Sequence, residues 1–403
     1  MPRRNFLVWV LASLFYAYQY VLRVIPNIIA PELMTKFNVN VVDIGQFSGL
    51  YYVGYTLAHI PVGLFLDRSG LKFVLPICTI LTFVGTLPLI CFDRWYPSIL
   101  GRIIVGIGSS ASAIGIFKVA STYFSRERSA RMASLSMIIG LLGAICGGLP
   151  LDFLLDKFGW DYVIYAFSAF GCLLALSLFF IIPSNDIQEN VDGSILRDLK
   201  TVLCNKHIVL ISFFSSLMIG PLEGFADGWA RTFLCEVYKV TEDLASSLSS
   251  FIFIGFGAGV FFLAFLLERY PSRHYEVIIT CSLAMLVSFI LLFMQSGGLY
   301  IVLPALLIIG FASGYQVITI YKAISYITNN LVGLATAVSN MIIMMFGYFF
   351  HIGIAKIVNF YWDKTLIQGN PVYGPELLIK AMSVIPICLL LAVFGFLWLK
   401  KCS

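Results

Sequence analysis

Twelve stretches of about 20 or more mainly apolar residues recur along the 403-residue chain, and they limit what it can fold into. They fall at about 6–31, 42–66, 72–92, 97–124, 130–154, 160–182, 207–235, 244–267, 275–295, 299–326, 332–358 and 376–399. A helix needs about 20 such residues to cross the hydrocarbon core of a bilayer. Inside that core every backbone N–H and C=O must be bonded within the segment or a closed barrel, and runs of this length select the helix. Only 12% of the residues are charged, where soluble domains average about 25%. With 60% apolar residues there is more apolar surface than a water-soluble core could hide. A soluble enzyme, a nucleic-acid binder and a disordered chain are therefore excluded. The expected fold class is an all-α membrane protein with twelve transmembrane helices, numbered here in chain order.

Nine cysteines lie mostly inside the apolar runs with no CxxC pair, and they read as small packing residues. No metal or cofactor is expected. Residues 5–30 are too long and too polar for a cleaved signal core, so they read as the first membrane helix. Lys and Arg in short loops set orientation. With both termini in the cytoplasm, fourteen basic residues fall inside, against Lys36, Arg94, Lys157, Lys239 and Lys364 outside. A bacterial-type inner (plasma) membrane is the expected location.

The longest internal loop, about 183–206, separates helices 6 and 7. It divides the chain into an N-terminal half at 1–183, a cytoplasmic linker at 184–206 and a C-terminal half at 207–403. The halves resemble each other. A shift of 201 residues lays Gly54 on Gly255 and Asp67-Arg68…Lys72 on Glu268-Arg269…Arg273. A shift of 204 lays Ile116, Lys118, Ser121, Ala133, Met137 and Gly143 on identical residues. Two pseudo-symmetric six-helix bundles follow, an architecture of secondary transporters whose site lies near the midplane.

Between helices 2 and 3 the chain reads Gly63-Leu-Phe-Leu-Asp67-Arg68-Ser-Gly70-Leu-Lys72. Gly70 permits a tight turn, Gly63 permits close helix approach, and Asp67 can pair with a basic group or a helix N-terminus. Helix 4 carries Arg102-Ile-Ile-Val-Gly106-Ile-Gly108, and helix 5 carries Gly140, Gly143, Gly147, Gly148 and Pro150. These three motifs resemble those of the major facilitator superfamily, over nearly the whole chain. The resemblance implies alternating access, no enzymatic or catalytic residues, and a gating role for Gly63, Asp67, Arg68, Gly70 and Lys72. Lys118 and Lys322, equivalent in the two halves, join that gating set.

Charges inside the spans carry the functional reading, because each costs about 2.5–3.5 kcal/mol at mid-bilayer on insertion scales. Arg23 shares a face of helix 1 with Tyr16, Gln19 and Tyr20, just before Pro26. A guanidinium suits a carboxylate or phosphate. Tyr51, Tyr55 and His59 form a column on helix 2. Helix 7 reads Gly220-Pro221-Leu-Glu223-Gly224-Phe-Ala-Asp227-Gly228-Trp229-Ala-Arg231, a composition suited to a broken helix lining a cavity. Glu223, Asp227 and Arg231 then stand at i, i+4 and i+8, with Asp227 able to pair with Arg231 and Glu223 the candidate proton carrier. Arg102 joins this coupling set through the resemblance, which ties its position to proton transfer or to holding a carboxylate. Trp229, Tyr315 and Gln316 complete the substrate-binding candidates. His351 and Lys356 read as packing or snorkelling residues.

The resemblance is nearest to organic-anion, organic-phosphate or peptide carriers. Arg23 shifted by 200 or 204 meets Glu223 or Asp227 rather than a second Arg, which departs from the two-arginine phosphate clamp. The expected function is proton-coupled transport of a small organic anion or zwitterion: a carboxylate, an amino acid or a short peptide. The alternatives are an organic phosphate or anion exchanger and a non-transporting sensor built on the same fold. Partners are the small-molecule substrate, H+ and the lipid bilayer, with no nucleic acid, and the chain is expected to act as a monomer. No GxxxxGK[ST] loop is present, so nothing points to ATP-driven transport.

Overall fold

The computed structural model describes residues 3–183, 195–270, 272–295, 298–328, 331–364, 366–367, 370–371 and 373–402. At 67, 68, 126, 127, 130, 149, 195, 196, 268, 366, 367, 370 and 371 it describes the backbone alone. Among these residues, eleven helices are long and apolar enough to cross a membrane, and a bent pair brings the number to twelve. They are α1 (Arg3–Ile28), α2 (Val41–Leu66), α3 (Leu71–Cys91), α4 (Trp95–Tyr123), the pair forming α5 (Arg131–Cys146 and Pro150–Phe158) and α6 (Trp160–Ile181). Then follow α7 (Lys206–Tyr238), α8 (Glu242–Leu267), α9 (His274–Met294), α10 (Leu299–Ile324), α11 (Val332–Tyr361) and α12 (Pro375–Cys402). A two-residue ladder pairs Leu366–Ile367 with Asn370–Pro371.

The helix starts are written in the sequence. Asn40 accepts from the Val42 and Asp43 N–H groups at 2.7 and 3.2 Å, and Asp43 accepts from the Asn40 N–H at 2.9 Å. This is a reciprocal capping box. Asn205 caps α7 by accepting from the His207 and Ile208 N–H groups. The expected single helix at 130–154 is instead two pieces bent by 43°. Gly147, Gly148 and Pro150 account for the break, since Pro150 supplies no N–H and the glycines stiffen nothing.

The chain divides into two compact units, Met1–Val39 with Leu50–Gly193, and Asn40–Gly49 with Ser194–Ser403. In the first, α1 packs on α4 and α5, and α3 packs on α4 and α6. In the second, α7 packs on α10 and α11, and α9 packs on α10 and α12. The neighbours match helix for helix after an offset of six. One crossing shows how deep the match runs. A Cβ at Gly106 would lie 2.1 Å from the Tyr51 carbonyl, and one at Gly54 would lie 2.2 Å from that of Ile103. A Cβ at Gly310 would lie 1.9 Å from the Ile252 carbonyl, and one at Gly255 would lie 2.4 Å from that of Leu307. In hydrocarbon, where lipid tails are as apolar as leucine, close backbone contact of this kind drives helix association.

Large apolar side chains cover the outside, among them Leu57, Phe65, Leu173, Phe180 and Phe265, each more than half exposed. Patches of this size are a liability in water and the natural surface in lipid. The chain is an integral membrane protein.

Candidate functional site

In the first unit the candidates gather around the last two turns of α1. Gln19 and Arg23 are buried, at 3% and 7% exposure. The Tyr51 hydroxyl of α2 donates to Gln19 Oε1 at 2.6 Å. That bond occupies the amide oxygen and turns the Gln19 NH2 group to other use. The Arg23 guanidinium lies over the Tyr20 ring, 4.4 Å from its centre, a cation–π contact. Tyr16 bonds Tyr20 through their hydroxyls at 3.3 Å, and its ring packs on Gly140 of α5. Tyr51, Tyr55 and His59 stack along α2 with ring centres 5.9 and 5.2 Å apart, the column expected from their spacing.

Arg102 is 4% exposed. Its Nη1 donates to the Leu22 carbonyl at 2.7 Å and its Nη2 to the Arg23 carbonyl at 2.9 Å. Its guanidinium also lies 5.0 Å from the centre of the Tyr51 ring. Both terminal nitrogens of Arg102, placed in the coupling set by the resemblance, thus hold the backbone of α1.

The loop motif is partly described. Gly70 has φ +73° and starts the next helix, as a tight turn demands. Among the described residues, a Cβ at Gly63 would meet nothing closer than Ile114 Cδ1 at 3.7 Å, an ordinary contact. The side chains of Asp67 and Arg68 lie outside the described ones. Lys72 donates to the Ile182 carbonyl at 3.1 Å, and Arg4 donates to the Ile181 carbonyl at 2.9 Å. Two cations thus occupy the C-terminal end of α6, where the helix dipole favours them. Lys118 is half-buried near the end of α4.

In the second unit α7 is broken, as its glycines and Pro221 suggest. An α-helical segment ends at Ser216, and Gly220–Trp229 is a π-helix. Such i→i+5 segments are rare and concentrate at functional sites. Glu223 and Asp227 of the expected column lie within this segment, and Arg231 follows in the α-helical Ala230–Tyr238. Both carboxylates are buried, at 1% and 3% exposure. Arg231 pairs with Glu242 at the start of α8. Tyr315 of α10 donates to the Ser215 carbonyl at 2.8 Å. The Gln316 amide nitrogen is buried with no hydrogen-bond partner among the described residues. The ring centres of Trp229 and Tyr373 are 6.5 Å apart. Lys322 sits against the rings of Tyr275 and Tyr326, at 5.2 and 4.8 Å.

Two more residues are buried in this unit: His351, which the sequence reads as packing or snorkelling, and Tyr373, which it does not single out. His351 is 3% exposed and lies over Gly228, where a Cβ would come within 2.7 Å of its Cε1. Tyr373, in the loop before α12, is buried, and burial raises its phenol above the usual tyrosine range. Its hydroxyl makes no hydrogen bond among the described residues. No sequence pattern announces a loop tyrosine of this kind. Among the described residues no cluster of three His, Cys, Asp or Glu side chains could hold a metal.

Comparison with known proteins adds the family. The Major Facilitator Superfamily profile matches residues 9–351. An uncharacterized transporter of Buchnera aphidicola is 24% identical over 238 residues, 56% of this chain and 59% of that protein. Facilitated glucose transporter member 12 of Mus musculus is 25% identical over 158 residues, 37% of this chain and 25% of that protein. The chain thus spans less than two thirds of these relatives. Among solved structures, the nucleoside transporter NupG (D323A mutant) superposes with a TM-score of 0.78 at 14% identity, covering 98% of this chain and 99% of that one. A bacterial homolog of the human lysosomal transporter Spinster gives 0.75 at 15%, covering 98% and 97%. These two show the shared fold. With the profile, the three motifs and the matching six-helix units in agreement, the chain belongs to the major facilitator superfamily, a family of transporters rather than enzymes.

Proposed function

We propose that this chain is a secondary active transporter that moves a small organic anion or zwitterion by alternating access, with a proton as the coupling ion. The observation that carries the reading is the α1 face. Arg23 is buried within a membrane span, and four residues earlier Gln19 has its carbonyl engaged by Tyr51. An arginine is retained there at a cost, so a function is the default explanation. A guanidinium and an amide NH2 one turn apart offer up to three N–H donors to a carboxylate.

Glu223 and Asp227, buried in the π-helical part of α7, support a cationic group or a proton as the second partner. The carboxylates favour a zwitterion or a proton-coupled anion over a doubly charged phosphate, which would gain from a second arginine. Relatives named for glucose, nucleoside and D-xylose with a proton keep neutral polar substrates as the competing reading. The halves at 1–183 and 207–403, joined by 184–206, are read as the moving parts, with both termini in the cytoplasm.

A thermal-shift screen of the purified chain against amino acids, dipeptides, carboxylates and sugar phosphates tests the substrate class. Stabilisation by a carboxylate or amino acid that Arg23→Ala abolishes is the expected result. Stabilisation by neutral sugars alone, unaffected by Arg23→Ala, would refute it.

A further inference from the structure

Pro26 lies inside α1 and has no N–H to give. The Leu22 carbonyl, four residues back, therefore loses its helical donor. Leu22 is 1% exposed, so bulk water does not reach that carbonyl and a neighbouring group must supply the donor. The group that does so comes from another helix: Arg102 of α4 reaches the Leu22 carbonyl with one terminal nitrogen and the Arg23 carbonyl with the other. The same guanidinium lies over the ring of Tyr51, whose hydroxyl holds the Gln19 amide.

We infer that Arg102 is a positioning residue: it fills the carbonyl vacated by Pro26 and thereby fixes the height of Arg23 and, through Tyr51, the orientation of Gln19. Backbone carbonyls without helical donors carry the partial negative charge of a helix C-terminus, and a cation there is favoured. The fork of a guanidinium can serve two successive carbonyls at once, which an ammonium on its flexible stem does less well. Proline and arginine are thus a matched pair on two helices. The pairing stands by itself, while its consequence for Arg23 and Gln19 as anion contacts rests on the proposed function.

The test needs no substrate. The purified full-length chain is followed by thermal unfolding, and phenylglyoxal modification of Arg23 is followed by peptide mass spectrometry. Arg102→Met should lower the unfolding midpoint by several degrees and change the Arg23 modification rate several-fold. Pro26→Ala returns an N–H to the Leu22 carbonyl. The double variant Pro26→Ala/Arg102→Met should therefore recover at least half of the lost midpoint. An Arg102 that mattered only for packing on Tyr51 would gain nothing from Pro26→Ala, and an additive double variant overturns the pairing. If Arg102→Met does not fold, Arg102→Lys with and without Pro26→Ala makes the same comparison. An unchanged Arg23 modification rate in the folded variant would overturn the positioning role. Failure of the anion reading shows separately, as ligand stabilisation that survives Arg23→Ala while the Pro26 rescue holds.

Discussion

The bond from Tyr51 to Gln19 can be weighed by a double-mutant cycle. Tyr51→Phe keeps the ring, which is 1% exposed, and removes only the hydroxyl that donates at 2.6 Å. A neutral hydrogen bond contributes about 0.5–1.5 kcal/mol net, and a buried acceptor left without a donor costs about 1–3 kcal/mol. Tyr51→Phe should therefore destabilise the chain by about 1–3 kcal/mol. Gln19→Leu should cost up to a similar amount, because it removes the phenol's amide acceptor and leaves only the Ser109 hydroxyl beside it. Replacing both partners with apolar groups is far less costly. The double variant should fall short of the sum by roughly 1–2 kcal/mol, within the range measured for groups in contact. The assay is reversible unfolding of the purified protein in detergent. For transport, the loosened Gln19 should raise KM several-fold and leave Vmax within a factor of about 2, since a coupling of about 1 kcal/mol corresponds to roughly 5-fold. Additive destabilisation by the two single changes would refute the reasoning.

Three further outcomes are expected. Gly106→Val puts side-chain atoms where a Cβ alone meets the Tyr51 carbonyl at 2.1 Å, so it should cost at least the ~1–3 kcal/mol of an overpacked core, seen as lost monodisperse protein on size-exclusion chromatography. Gly63→Ala, whose added Cβ would make only an ordinary contact with Ile114, should leave that profile unchanged. Glu223→Gln should keep substrate counterflow and lose proton-driven accumulation in proteoliposomes, and uphill accumulation by that variant would remove Glu223 as the coupling group.

Much of this fold is legible in the amino-acid sequence. Span number follows from apolar length, and the matching units follow from charged and glycine positions that recur after 204 residues or, around Gly54 and Asp67, at an offset of 201. Gly54 and Gly255 were aligned by that offset, and both prove to be crossing points between equivalent helices. Side-chain columns on regular helices were equally legible, as Tyr51, Tyr55 and His59 show. What escaped involves backbone. The π-helical winding of Gly220–Trp229 is not legible in the sequence, because glycine and proline announce a break without announcing its pitch. The partners of Arg102 are carbonyls, which every residue has, so no residue type marks them. The missing N–H of Pro26 was the available clue. A parallel sits in the second unit, where Tyr315 of α10 donates to the Ser215 carbonyl of the broken α7. In each unit the fourth helix supports the backbone of an interrupted first helix.

The central claim is that Arg23 binds the anionic group of the substrate. It is tested most directly by uptake into proteoliposomes of whichever carboxylate or amino acid stabilises the purified chain, comparing the unaltered protein with Arg23→Lys and Arg23→Ala at equal incorporation. The account predicts that Arg23→Ala abolishes uptake and that Arg23→Lys, which keeps the charge and loses the paired N–H groups, retains a small fraction. Normal uptake by Arg23→Ala would contradict it.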